Sequence, residues 1–251
     1  TVEKIAMEKA GIIKQDVPTL TFEQKRSVLN VLRDEANKKN SNIDIIADSE
    51  INIIKSDEDG TFFKYSNLEF KLPLIGEHQV KNCALAVNIA KKLLGASFDG
   101  SKAKKSVKTI HWPGRLEQIK NKNMYYDVAH NFESIKVMIK TISSTHPGKK
   151  IIGLFSLKSD KNIGAICSVI KNSFEKIILC HDKSGYLLKS IILEKILKEN
   201  SINCISVSSV QRGVEVLEKY ANDYVKIIFG SHYIAEEVYS AVGNYFDPTN
   251  N

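Results

Sequence analysis

The chain is poor in the residues that staple small secreted folds. It has four cysteines in 251 residues, and Cys83, Cys167, Cys180 and Cys204 stand far apart beside apolar neighbours. No C-x-x-C pair signals zinc or dithiol redox chemistry, so reduced, structural thiols in a cytoplasmic setting are expected. No apolar run approaches the ~20 residues that cross a bilayer, and a membrane role is not indicated. The opening Thr1-Val2-Glu3-Lys4-Ile5-Ala6 lacks an initiator Met, a basic n-region and an apolar h-region, so it is not a signal peptide, and an upstream segment is expected. G-x-G-x-x-G is missing too. Gly95-Ala96-Ser97-Phe98-Asp99-Gly100-Ser101-Lys102 approximates G-x-x-x-x-G-K-[ST], but its last two residues are transposed and it follows a helical pattern rather than a strand. A plain loop is the reading there, and local evidence provides no complete nucleotide cradle.

What is present is ordinary for a soluble globular protein: 43% hydrophobic and 26% charged residues, in a length that allows two modest domains. The 36 basic residues exceed the 29 acidic ones, for a net charge of +7 that suits an anionic ligand. Pairs such as Lys38-Lys39, Lys91-Lys92, Lys104-Lys105 and Lys149-Lys150 are scattered and not interleaved with aromatics. They read as solvated surface, and no nucleic-acid face is expected.

Apolar spacing divides the chain. Residues 2–10 read as a helix with Thr1 as a possible N-cap and Gly11 as the stop. A strand follows at Val17–Phe22, a helix over 23–39, a strand at Ile43–Ala47, further short strands through Leu72, and a long helix over about 78–94. After Trp112-Pro113-Gly114 strand and helix alternate. Strands are expected at Met124–Val128, Lys150–Phe155, Lys176–Cys180, Asn203–Val207 and Lys226–Phe229, with helices near 132–145, 162–173, 186–199, 210–221 and 233–243. That rhythm predicts an α/β fold with a mainly parallel, doubly wound sheet, and the Pro-Gly pair marks the boundary between domains 1–111 and 112–251. In such sheets ligands gather at the carboxyl ends of strands. There Met124-Tyr125-Tyr126-Asp127-Val128-Ala129-His130-Asn131 places a carboxylate and an imidazole where a strand gives way to a helix. Asn131 is a natural N-cap, and the helix start offers free N–H groups to a phosphate or carboxylate. Capping alone accounts for Asn131 but not for the Asp-x-x-His pair.

Four segments together resemble the folylpolyglutamate synthase/dihydrofolate synthase family of the Mur ligase superfamily, in order and approximate spacing. They are Glu8-Lys9-Ala10-Gly11-Ile12-Ile13-Lys14, Gly76-Glu77-His78-Gln79-Val80-Lys81-Asn82, Trp112-Pro113-Gly114-Arg115-Leu116-Glu117 and Asp127-Val128-Ala129-His130-Asn131. Each is short and weak alone. Together they set the chain against the C-terminal part of that family. The implied architecture is the tail of a P-loop ATPase-type central domain (1–111) followed by a Rossmann-like C-terminal domain (112–251).

The resemblance implies an ATP- and Mg2+-dependent ligase that joins L-glutamate to dihydropteroate or folate polyglutamates through an acyl phosphate. Lys9 matches a lysine that holds Mg2+ as its carbamate, which requires the amine to be desolvated enough to lose its proton. Asn82 matches the residue that reads adenine, and Arg115 and Asp127 match the pair that reaches ATP from the C-terminal domain. His130 falls in the glutamate or phosphate environment. Gly230-Ser231-His232-Tyr233 resembles a Gly-Ser-x-Tyr turn whose serine contacts glutamate, and Leu157-Lys158-Ser159-Asp160-Lys161 an Asp-Lys loop. Arg115, Asp127 and His130 are thus the catalytic candidates. A monomer is implied, with an upstream ATPase segment completing the site and the isolated chain inactive. The chain departs from the family pattern at Val128 and Phe132, and at Cys180-His181-Asp182-Lys183-Ser184-Gly185, where a Pro-Arg stretch is usual. Two other readings stay open: a non-catalytic remnant, and a Mur-type ligase acting on a peptidoglycan precursor.

Overall fold

The computed structural model describes residues 1–119 and 123–243. They form two compact units, Thr1–Ser56 with Gly60–Ile110, and His111–Asn251 with Asp57–Asp59.

The first unit opens with α1 (Val2–Ala10), whose first turn is capped by the Thr1 hydroxyl accepting the Lys4 N–H at 3.3 Å, and which stops at Gly11. Then come β1 (Thr19–Phe22), α2 (Arg26–Lys38) and β2 (Ile43–Ile46), with β1 and β2 parallel and Thr19 opposite Ile43. Pro18 has no N–H to give a ladder, and the strand starts one residue after it, later than the expected Val17. A three-stranded sheet follows, β3 (Ile51–Asp57), β4 (Gly60–Tyr65) and β5 (Leu68–Leu72), in the order β3-β4-β5. Ser66 and Asn67 both have positive φ (49° and 62°), the backbone a two-residue hairpin between twisted strands needs. Helix α3 (Glu77–Leu94) packs Val80, Cys83, Ala84 and Val87 with Phe63, Tyr65, Phe70 and Leu72.

The plain loop expected over Gly95–Lys102 is corrected. After one short 3-10 turn, α4 (Gly100–Lys108) begins inside it, because the Asp99 carboxylate accepts the N–H groups of Ser101 (2.8 Å) and Lys102 (3.2 Å). Those amides cap a helix start rather than cradle a phosphate.

The second unit carries β6 (Glu117–Gln118), β7 (Met124–Asp127), α5 (Phe132–Thr145), β8 (Lys150–Phe155), α6 (Ile163–Ile170), β9 (Lys176–Cys180), α7 (Ser190–Glu199), β10 (Cys204–Val207), α8 (Val210–Glu218), β11 (Tyr224–Phe229) and α9 (Ala235–Ala241). The strand order is β10-β9-β8-β11-β7-β6, parallel except for β6, a two-residue antiparallel edge absent from the sequence reading. The expected α/β class and parallel sheet are therefore present.

Strand alternation sorts the core. Met124, Tyr126, Ile152, Leu154, Ile178 and Ile228 meet α8 and α9 through Val210, Val214, Leu217 and Val238. Gly213 on α8 permits this approach, since a Cβ there would sit 2.5 Å from Leu154 Cδ1. Phe155 and Phe229, of opposite parity, stack at 4.7 Å, and Phe229 stacks on Phe174 at 5.1 Å. Burying such a side chain is worth roughly 1.5–3 kcal/mol. Consecutive strands β7 and β8 are separated by β11, and from β8 the chain runs outward through β9 to β10, so the winding changes direction beside β11. Register aligns Asp127, Phe229, Phe155 and Leu179 along one carboxyl edge.

Candidate functional site

The site residues of the second unit are built from the turn that precedes β6. Pro113 and Gly114 reverse the chain, with Gly114 at φ 67°, where a Cβ would also meet Val128 Cγ1 at 2.7 Å. The Gly114 N–H donates to Glu117 Oε2 at 2.9 Å, and the Val128 N–H donates to the Gly114 carbonyl at 2.9 Å. Glu117 also meets His111 Nε2 at 3.0 Å and accepts the Tyr239 hydroxyl. This brings Arg115 to the end of β7.

Asp127, 8% exposed, ends that strand. Its Oδ2 accepts the Leu116 N–H at 2.8 Å and its Oδ1 the Ala129 N–H at 2.7 Å. Burial pushes its carboxyl up to about 6, against the opposing pull of these two amides and of the Arg115 and His130 charges. A fixed, nearly dry carboxylate with a guanidinium beside it is suited to holding a polar ligand in register, and both oxygens are already oriented by the backbone.

His130 follows at the start of α5. Its Nδ1 lies 2.8 Å from the Val128 carbonyl. A carbonyl can only accept, so Nδ1 carries the proton and Nε2 is the nitrogen left for chemistry. Asn131 caps α5 as expected: its side chain accepts the Ser134 N–H at 2.9 Å, and Ser134 Oγ accepts the Asn131 N–H at 3.2 Å. Ser231 joins this edge through β11. The Tyr126 hydroxyl donates to the Ser231 carbonyl at 2.9 Å, and Ser231 Oγ accepts the Tyr233 N–H at 3.0 Å, leaving the serine proton to be given elsewhere. Arg115, Asp127, His130 and Ser231 thus share one carboxyl edge, where open α/β sheets collect ligands.

The other two candidates belong to the first unit. Asn82 lies exposed on α3 and donates through Nδ2 to the buried Gln79 at 3.3 Å. The Lys9 side chain on α1 is 73% exposed, with Glu8 Oε1 3.9 Å away, so its unit supplies none of the desolvation that carbamylation requires. No group of three or more His, Cys, Asp or Glu side chains able to hold a metal ion occurs among the described residues. These residues by themselves do not make a magnesium site. On the loop after β8, Asp160 pairs with Lys158 (3.8 Å) and Lys161 (3.5 Å).

Two side chains, the half-buried Glu117 and the buried Ser156, were missed from sequence. Glu117 was quoted only as part of a motif, although a carboxylate three residues after Gly114 is placed to accept that glycine's N–H. Ser156, directly after β8 and 3% exposed, has a hydroxyl without a partner among the described residues. Nothing in its sequence context signals this.

Residues 114–232 match the family model described as Mur ligase, glutamate ligase domain. The second unit accordingly carries the Mur ligase C-terminal domain fold. The chain is similar to the dihydrofolate synthase/folylpolyglutamate synthase of Bacillus subtilis, with 31% identity over 173 residues, 64% of this chain and 40% of that protein. The structure of Mycobacterium tuberculosis folylpolyglutamate synthase complexed with ADP and AMPPCP superposes with a TM-score of 0.85 at 22% identity, over 98% of this chain and 60% of that one. The UDP-N-acetylmuramyl-tripeptide synthetase of Ligilactobacillus salivarius shares 31% identity over 125 residues, 47% of this chain and 24% of that protein. The folate-branch resemblance read from the four motifs is thereby borne out. The chain spans about 40% of the length of the B. subtilis relative. No helix among the described residues is long and apolar enough to cross a membrane.

Proposed function

We propose that the chain is part of an ATP-dependent ligase that adds L-glutamate to dihydropteroate, to folate polyglutamates, or to both, in the cytoplasm. Residues 1–111 would be the tail of its central ATPase domain and residues 112–251 its C-terminal domain, in a monomeric enzyme. The observation that carries this reading is the buried Asp127 carboxylate, held by two backbone N–H groups at a strand end beside Arg115 and His130.

In the reaction, a substrate carboxylate oxygen attacks the γ-phosphorus of ATP, and ADP leaves. The glutamate amine then adds to the acyl carbon, a proton is lost, and the C–O bond to phosphate breaks as the amide forms. Arg115 would offset the charge of the transferring phosphoryl group, and Asp127 would position the nucleotide. Ser231, with its proton available, and His130, through Nε2, would orient the incoming glutamate, and Nε2 can take the amine's proton. Asn82 would read adenine, since its amide both donates and accepts. ATP would bring Mg2+ with it, and Lys9 is the one residue here that the resemblance assigns to the ion.

The test is calorimetric titration of the full chain with ATP, repeated with Arg115→Ala, and with L-glutamate, repeated with His130→Ala. Affinity for ATP lost in the first variant and affinity for glutamate lost in the second are expected. Unchanged binding in both folded variants would remove these assignments. The partial match to a UDP-N-acetylmuramyl-tripeptide synthetase supports a second substrate class, and competition between a folate and a UDP-muramyl peptide separates the two.

A further inference from the structure

Three aromatic rings form a ladder beyond the carboxyl edge of the second unit's sheet. Tyr186 and Tyr233 stack with centroids 5.0 Å apart and planes 28° apart, and Tyr233 in turn lies 4.3 Å from the His232 ring, tilted by 30°. Tyr186 is outermost and stays 62% exposed although Tyr233 lies against it.

An exposed tyrosine on a loop usually samples several positions, but this one stands on an anchored backbone. The buried Asp182 accepts the Ser184 hydroxyl and, at 3.1 Å, the Gly185 N–H, and Ser184 Oγ accepts the Tyr186 N–H at 3.2 Å. Before the ring, the Lys183 N–H donates to Glu237 Oε1 at 2.9 Å. After it, Leu187 bridges Lys158 and the Leu188 N–H donates to the Leu157 carbonyl at 2.8 Å. Tyr233 is fixed by its N–H on Ser231 Oγ.

We propose that the ladder is a stacking platform for a planar heteroaromatic ring bearing an anionic tail. Near-parallel stacking leaves the outer face of Tyr186 for one more flat ring. Such contacts are worth roughly 1–3 kcal/mol per ring, and the ordered loop spends little entropy in making them. The exposed Lys183 and Lys189 flank Tyr186 and favour a negative tail, with Glu237 the nearby opposing charge. Two sources share this chemistry, the purine of a nucleotide and the pterin of a folate. The site stands on the loop's own geometry and needs none of the roles given to Arg115, Asp127 or His130.

The experiment is NMR of the full chain with 13C-labelled tyrosine rings, titrated separately with ADP and with pteroate. Tyr186→Phe and Tyr233→Phe assign the signals, and a thermal melt checks the fold of each variant. The expected result is that one of the two ligands moves the Tyr186 and Tyr233 signals. Tyr186→Ala should then weaken that ligand by roughly 5- to 150-fold, corresponding to 1–3 kcal/mol of stacking, while Tyr186→Phe preserves it. If neither ligand moves these rings, or if a folded Tyr186→Ala binds equally well, the platform does not exist. Binding of ADP with both rings unmoved by ADP and by pteroate alike overturns the platform while sparing the assignments to Arg115 and Asp127.

Discussion

The Asp127 carboxylate accepts the N–H of Leu116 at 2.8 Å, across eleven residues of sequence, while Leu116 itself holds a left-handed φ of 45°. A buried leucine in that region of φ/ψ stores of order 1–3 kcal/mol of strain and persists only where its surroundings fix it. Asp127 is one of those surroundings, so it holds in place the turn that carries Arg115. Asp127→Ala orphans two buried amides and is expected to destabilise the fold by about 1–3 kcal/mol in urea unfolding. Asp127→Asn, which keeps one acceptor, should fall between. A variant as stable as the parent would mean that the carboxylate does not hold the turn.

Gly230 faces a tighter constraint. At φ 106°, with a hypothetical Cβ 1.8 Å from the Ser156 carbonyl and 2.8 Å from two Phe155 ring carbons, it lets the turn after β11 pass against β8. Gly230→Ala therefore asks for backbone movement at the same edge that presents Ser231. A loss beyond about 3 kcal/mol, or failure to fold, is expected by calorimetry. A well-folded variant with an unchanged melting temperature would refute the close approach. Gly148, also at positive φ (78°) but with open space around its Cβ position, should cost far less on the same change.

These two positions show what pattern reading reaches. β8 and β9 were placed residue for residue because a strand buried on both faces is a continuous apolar run. α5 began where predicted because Asn131 caps it. α4 escaped because its apolar residues are only Ala103 and Val107 among four lysines, so its start depends on the Asp99 side chain and not on a period. β6 is too short to alternate and exists through its register with β7. At the site, Asp127 and His130 were legible from their place at a strand end. Lys9, Asn82, Arg115 and Ser231 came from family resemblance. Ser156 required three dimensions, because partnerlessness belongs to surroundings and not to residue type.

Two buried groups give stability opposite pH dependences. His146 lies 2.8 Å from the Tyr125 hydroxyl, and burial lowers its pKa. The unfolded chain therefore takes up the proton more readily, and the contribution of His146, full above ~6.5, is lost as pH falls through the folded-state value. Asp127 runs the other way. With its carboxyl at about 6 against 3.8, the folded state holds the proton more tightly, so stability decreases as pH rises between those values. The full effect is on the order of 3 kcal/mol. Urea melts from pH 4 to 8 should show the gap between parent and His146→Gln closing toward acid. Asp127→Asn should remove the opposite slope between about pH 4 and 6. A constant His146→Gln gap would show that this ring does not titrate differently on folding.

Ser156 permits a sharper test, because deletion of a side-chain oxygen usually destabilises and here should not. Its hydroxyl is buried with no partner among the described residues, while its backbone N–H is satisfied by the Phe229 carbonyl at 3.2 Å. Burying an unpaired hydroxyl costs about 1–3 kcal/mol, and alanine relieves that cost while giving up only a small contact volume. Ser156→Ala is therefore expected to be neutral or stabilising by up to ~1 kcal/mol in urea unfolding at neutral pH. A ligand or water bonded to this oxygen would reverse the sign. Destabilisation in the free protein would identify a resident bonded water. Unchanged stability with weakened L-glutamate binding would assign the hydroxyl to the same edge as Ser231.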